Sequence, residues 1–202
     1  MMRQNIFIIC EGQTEYMFIK KILSPYMKNY EKTLYPIPLN GVSRYKSIKK
    51  IIVNVCKLKT CDYVTTLIDY YGMPCDTPFL YINESNIYKK INRIEKEINL
   101  DIGISNFSFH FSLHEFEALL FSDPSVYEGE YKGEVYKVLE NFPNPEYINN
   151  SVETAPSKRL IKIVKGYNKI RIGMYLAEKI GIEKMMLRCP HFRNWVDDLV
   201  KI

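Results

Sequence analysis

The chain of 202 residues is defined first by what it lacks. No apolar stretch approaches the roughly 20 residues that a membrane-spanning helix needs, so no membrane segment is expected. The opening Met1-Met2-Arg3-Gln4 leads straight into a strand-like segment instead of the apolar core of a signal peptide. Five cysteines are scattered without CxxC spacing, which argues against both a disulfide framework and a zinc ribbon. These absences together predict a reduced, cytoplasmic protein. There is no internal repeat and no low-complexity tract, and 47% hydrophobic with 25% charged residues is ordinary for a globular chain. The length suits one domain with a sizeable core.

Net charge is lacking over most of the chain and concentrated at its end. Residues 1–150 carry 17 Lys+Arg against 18 Asp+Glu, a balance of −1, whereas residues 151–202 carry 11 against 5, a balance of +6. A basic segment attached to an acidic, metal-holding one is the distribution that a phosphate polymer as partner would favour. Lysine-rich solvated helix faces account for the same count.

What is present reads as alternating strands and helices. Asn5 to Cys10 is a short buried strand, and Thr14 to Leu23 has helical apolar spacing, with Thr14 as its expected N-cap and Pro25 near its end. Tyr35-Pro36-Ile37-Pro38-Leu39 is extended and twice interrupted by proline, hence an edge strand at best. Ser43 opens an amphipathic helix through Ile48, Ile52 and Val55. Tyr63 to Ile68 is β-branched, apolar and ended by Gly72 and Pro74, a buried parallel strand. Residues 87–98 form a clear helix, Phe107 to Phe111 a third strand, and Glu115 to Phe121 a helix closed by Ser122-Asp123-Pro124. Beyond 124, a loop with a short helix around Glu134–Glu140 precedes helices from Pro156 onward, with Gly181 as a helix end and Pro190 as a helix start. The order predicts an α/β fold, a mostly parallel sheet flanked by helices, with residues 1–123 as core and 124–202 as a loop and small basic helical lobe packed on it.

Asp69 is the most informative residue. It stands at the carboxyl end of the Tyr63–Ile68 strand, where the chemistry of open parallel sheets collects. Cys10 is followed by Glu11-Gly12-Gln13-Thr14-Glu15, and the third strand runs into Ser112-Leu113-His114-Glu115-Phe116-Glu117. Three strand ends that carry carboxylates suggest a divalent metal site.

The segments Cys10–Glu15, Leu67–Pro74, His114–Asp123, Ala155–Arg159 and Arg188–Phe192 with Trp195 resemble a Toprim-like bacterial family catalogued as domain of unknown function 4276. The resemblance spans almost the whole chain. It implies a Mg²⁺- or Mn²⁺-dependent phosphoryl-transfer site in which Glu11 matches a glutamate after the first strand and Asp69 the first aspartate of an Asp-x-Asp. Tyr71 stands where the second aspartate belongs, so Glu115 or Glu117 would replace it. Relatives of this sort are often encoded beside AAA-type ATPases in antiphage operons, which implies such an ATPase as partner.

The chemistry suits these residue types. Mg²⁺ takes hard oxygen ligands and keeps several waters, so Glu11, Asp69 and one of Glu115 or Glu117 suffice for one ion, with Glu15 or Asp123 left for a second. Glu15 serves equally well as a first-turn acid favoured by the helix dipole. His114 is either an acid/base near the scissile phosphate or a structural residue. Lys158 and Arg159 are candidate nucleic-acid contacts at a helix start or solvated charges there. A zinc site from His110, His114 and nearby glutamates is set aside because His110 falls inside a strand, and Cys189 and His191 read as structural. The expected function is a metal-dependent nuclease acting on DNA or RNA, the effector of an antiphage system. The alternative is an inactive regulatory subunit that binds the ATPase or nucleic acid. The oligomeric state is open.

Overall fold

A computed structural model describes residues 3–42, 44–113, 115–148 and 153–202. Its sheet contains β1 (Gln4–Cys10), β2 (Lys32–Pro38), β3 (Tyr63–Asp69), β4 (Phe107–Ser108) and β5 (Phe111–Ser112). The order is β2-β1-β3-β4 with β5 also on β3, and all pairings are parallel. Parallel strands need crossovers, which here are helical, so the carboxyl ends of β1, β3 and β5 all arrive at one edge. The prolines Pro36 and Pro38 sit on β2, at the sheet border, where their missing N–H groups break no ladder.

Alternation along β1 separates two apolar clusters. Ile6, Ile8 and Cys10 face one side, and Ile9 faces the other. The second side is closed by α3 (Tyr45–Cys56) and α4 (Ile87–Ile102), through Ile48, Ile52, Ile91, Ile94 and Ile98. The first side is covered by α1 (Gln13–Phe18), α2 (Ser24–Met27), α5 (Gly129–Asn141), α6 (Pro156–Ile163), α7 (Met174–Arg188) and α8 (Pro190–Lys201). Each fully buried Ile or Phe in these layers contributes about 1.5–3 kcal/mol. This is the α/β architecture that the strand–helix alternation predicts, and the C-terminal helices share one apolar cluster with β1 and α1. Among the described residues no helix is long and apolar enough to cross a membrane.

Local structure departs from expectation where side chains compete with the backbone. The third strand is two short pieces, because at the break the Thr66 hydroxyl donates to the His110 carbonyl (2.8 Å) and accepts from the His110 N–H (2.7 Å). The Glu115–Phe121 helix is a 3-10 segment over Phe116–Phe121. Gly12, not Thr14, caps α1, and the chain runs on helically through a π turn at Ile19–Leu23, so Pro25 sits in the first turn of α2. The helix expected around Glu134–Glu140 already starts at Gly129. Residues 164–168 interrupt the C-terminal helices, and Ser43 lies outside the described residues.

Gly181 joins two helical stretches within α7 at φ 75° and ψ 160°, a conformation open almost only to glycine. Gly181→Ala is therefore expected to lower stability by about 1–3 kcal/mol without loss of helix content, measurable by urea denaturation followed by circular dichroism.

Candidate metal centre

The shared strand edge gathers carboxylates from several elements. Glu11 follows β1 directly, and its Oε2 accepts the backbone N–H of Asp69 at 3.3 Å. Gly72 makes room for it: a Cβ at that position would lie 2.6 Å from Glu11 Cδ, inside van der Waals contact. Asp69 ends β3, and its Oδ1 accepts the N–H of Phe116 at 3.1 Å, which ties it to the 3-10 segment carrying Glu117. A cavity of about 430 Å³ opens beside Glu11, lined by Gly12, Asn40, Gly41, Ile68 and Gly72 among others.

Two of the acids are committed to helix starts. Glu15 is the third residue of α1, and its Oε2 reaches back to accept the N–H of the N-cap residue Gly12 at 2.9 Å. The helix-start reading of Glu15 is thus what its hydrogen bond displays, although its charge still acts on Asp69. Glu115 accepts the Ser157 N–H at 2.8 Å and the Ser157 hydroxyl at 3.0 Å, and so anchors the start of α6.

Glu117 is different. Its side chain is 0% exposed, and among the described residues neither oxygen accepts a hydrogen bond of regular geometry. The neighbouring cation is Lys169, whose Nζ lies 2.9 Å from Glu117 Oε1. Asn168 positions Lys169 by accepting the N–H groups of Ile170 and Arg171, which starts the helical turn at Lys169. The hydroxyl of Tyr167 is also buried without a partner among the described residues. Burial first, and then the charges of Glu117 and Glu115, oppose its ionisation.

Crowding of like charges sets the electrostatics. Burial, followed by Glu15, Glu11, Glu117 and Glu115, pushes Asp69 well above the usual carboxylate range. Burial is also the main cause that raises Glu11, Glu15 and Glu117, with Lys169 pulling the other way in each case. For Lys169 itself, burial opposes the charged form but the Glu117 carboxylate outweighs it and raises the pKa. The acids are held apart by their backbone bonds: among the described residues no three of them bring donor atoms within 4.8 Å of one another.

The remaining sequence candidates lie elsewhere. Asp123 caps the turn at Pro124–Val126 by accepting from Ser125, and it borders a different cavity with Lys184 and Arg188. Lys158 is exposed on the first turn of α6, while Arg159 donates to the Thr154 carbonyl and stacks on Phe142 at 5.1 Å. His114 lies outside the described residues. Tyr71 is half-exposed and tilts against Tyr70.

Sequence reasoning missed Lys169 and Tyr167, which no spacing connects to Glu117 some 50 residues earlier. It also missed a second donor group. His110, between β4 and β5, and His191, in the first turn of α8, stack at 4.4 Å and both face Glu95 of α4. Burial, then the neighbouring His191, holds His110 well below its ordinary pKa. Burial opposes protonation of His191 too, but the hydrogen bond and charge of Glu95 outweigh it and raise that pKa. The sequence reading sets aside a zinc site from His110, His114 and nearby glutamates because His110 falls inside a strand; among the described residues the fold brings His110 beside His191 and Glu95.

The family described as domain of unknown function (DUF4276) matches residues 10–200. No curated protein matches the chain. Among solved structures, the C-terminal region of the Burkholderia pseudomallei OLD protein is similar over 96% of this chain and 98% of that one, at 15% identity and a TM-score of 0.45.

The raised carboxyl pKa values carry a sign. The folded chain holds these protons more tightly than the unfolded chain, so folding is favoured at low pH and the repulsion develops as pH climbs from the usual carboxylate range through the raised values. Asp69→Asn, which keeps the acceptor for Phe116, is expected to raise the apo-protein Tm by a few degrees near neutral pH. In acid the difference from wild type should close. Thermal melts in chelator-containing buffer across pH check both.

Proposed function

The chain belongs to the family described as domain of unknown function (DUF4276), and from that premise we propose that it is a metal-dependent phosphodiesterase acting on nucleic acid. The observation that carries the reading is the acid cluster itself. Glu11, Asp69 and Glu117 crowd one edge of a parallel sheet, with buried Glu117 oxygens short of donors and Gly72 leaving the space that Glu11 occupies. Such an arrangement of hard oxygen donors, unfavourable on its own, is stabilised by a divalent cation.

The donor chemistry, carboxylate oxygen throughout, is the kind that Mg²⁺ or Mn²⁺ takes, and because among the described residues no three of these acids place donor atoms within 4.8 Å of one another, a bound ion would have to draw them together. Glu11, Asp69 and Glu117 would hold the ion, since Glu115 is engaged by Ser157 and Glu15 by Gly12. When bound, such an ion polarises a phosphoryl oxygen and lowers the pKa of a coordinated water. Lys169, half-exposed beside Glu117, supplies a positive charge for a non-bridging phosphate oxygen. Lys158, exposed on α6, extends the basic surface along which a nucleic-acid backbone would run. The cavity beside Glu11 offers room for the substrate at the strand edge. The role as effector of an antiphage system, with an AAA-type ATPase as partner, belongs to this proposal.

The test is cleavage of plasmid, single-stranded DNA and total tRNA by the purified chain with Mg²⁺, Mn²⁺ or EDTA. Cutting is expected with metal and is expected to fall by roughly 10²–10³-fold in Asp69→Asn. Gly72→Ala should displace Glu11 and weaken Mn²⁺ binding by roughly tenfold or more, read by calorimetry. Asp69-dependent Mn²⁺ binding without cutting would point to an enzyme that needs its partner. Neither binding nor cutting would favour the regulatory subunit, the role that Tyr71 in the second-aspartate position suggests.

A further inference from the structure

The Glu95, His110 and His191 group lies apart from the acid cluster and has a different chemistry. The Glu95 Oε1 atom stands 3.0 Å from His191 Nε2 and 3.6 Å from His110 Nδ1, and the three donor atoms all lie within 4.8 Å of one another. Tetrahedral Zn²⁺ with bonds near 2.0–2.1 Å separates its ligand atoms by about 3.3 Å, a value between these two distances. The histidine rings are nearly parallel, 19° apart, and each is about 5% exposed, so the donors are held by packing and not by flexible surface chains.

The groups behind the donors are already in place. Glu95 Oε1 is oriented by the Phe111 N–H at 2.8 Å, and the His191 backbone N–H is held by Glu146 at 3.0 Å. The neighbouring Phe109 N–H is bound by Asn99 of α4 at 2.7 Å, which fixes the His110 segment against the helix that carries Glu95. Metal-binding carboxylates characteristically have an outer hydrogen bond of the kind that Phe111 gives Glu95. The group borders a cavity of about 500 Å³ whose lining includes Asn92, Lys96, Asn194 and Asp198. An ion held by three protein donors would therefore keep a fourth position toward solvent, as catalytic and exchangeable sites do.

We propose that Glu95, His110 and His191 form a binding site for a first-row transition ion, Zn²⁺ in the first instance, with water from the adjoining cavity completing its coordination. Two imidazoles and one carboxylate select such ions over Mg²⁺, which prefers all-oxygen surroundings. The site joins the sheet, α4 and α8, three elements far apart in sequence, so its occupancy also ties the C-terminal helix to the core. It stands independently of the phosphodiesterase reading.

The chain reports on this site through its single tryptophan. Trp195 stacks on His110 at 4.9 Å and 8°. Co²⁺, a paramagnetic substitute for Zn²⁺, is titrated into the full-length chain while tryptophan emission is followed. Saturable quenching by one ion per chain is expected, reversed by excess Zn²⁺ and unaffected by Mg²⁺. It should persist in Asp69→Asn. Affinity should fall by roughly tenfold or more in His191→Gln and in Glu95→Gln, the second of which keeps an acceptor for Phe111 and His191. If the histidine variant fails to fold by circular dichroism, Glu95→Gln and the visible absorption of the wild-type Co²⁺ complex decide. Absence of quenching and of Co²⁺ absorption in folded wild type overturns the proposal. So does quenching that both variants retain, or that Asp69→Asn abolishes, because the ion would then occupy the acid cluster.

Discussion

Carboxylates forced together at low solvent exposure repel, and most of what surrounds Asp69 is an answer to that repulsion. Parallel pairing brings the ends of β1, β3 and β5 to one edge, so acids that follow those strands meet whether or not their proximity is favourable. Glu15 and Glu115 are held by N–H and O–H donors at helix starts, Glu11 by the Asp69 N–H, and Glu117 by Lys169. Each of these donors removes part of the cost, and the upward pull on the carboxyl pKa values is the part that remains.

The two donor groups divide the molecule chemically. At the strand edge the donors are oxygens, suited to a hard ion and to phosphate chemistry. Between sheet, α4 and α8 they are two imidazoles and a carboxylate, suited to a softer ion. His110 belongs to the break between β4 and β5, where Thr66 replaces a strand ladder with side-chain hydrogen bonds. Irregular backbone at that point is thus what turns a histidine of the sheet toward α8, and Trp195 covers it while donating to Thr65 Oγ1.

The sequence alone was enough for the α/β class, the β1, β3 and α4 assignments and the edge position of the proline-bearing strand. These follow from periodicity and from proline and glycine chemistry, which act over a few residues. The start of the 3-10 segment after Glu115 and the split third strand depended instead on contacts with distant residues, Phe116 with Asp69 and His110 with Thr66. Only the tertiary structure decided which acids are engaged and which is left short of donors, since Ser157 and Lys169 lie 42 and 52 residues from Glu115 and Glu117. The same is true of Glu95, His110 and His191, which no local pattern links. Side-chain donors and charges act across the few ångströms that folding creates, and those separations are not written in sequence spacing.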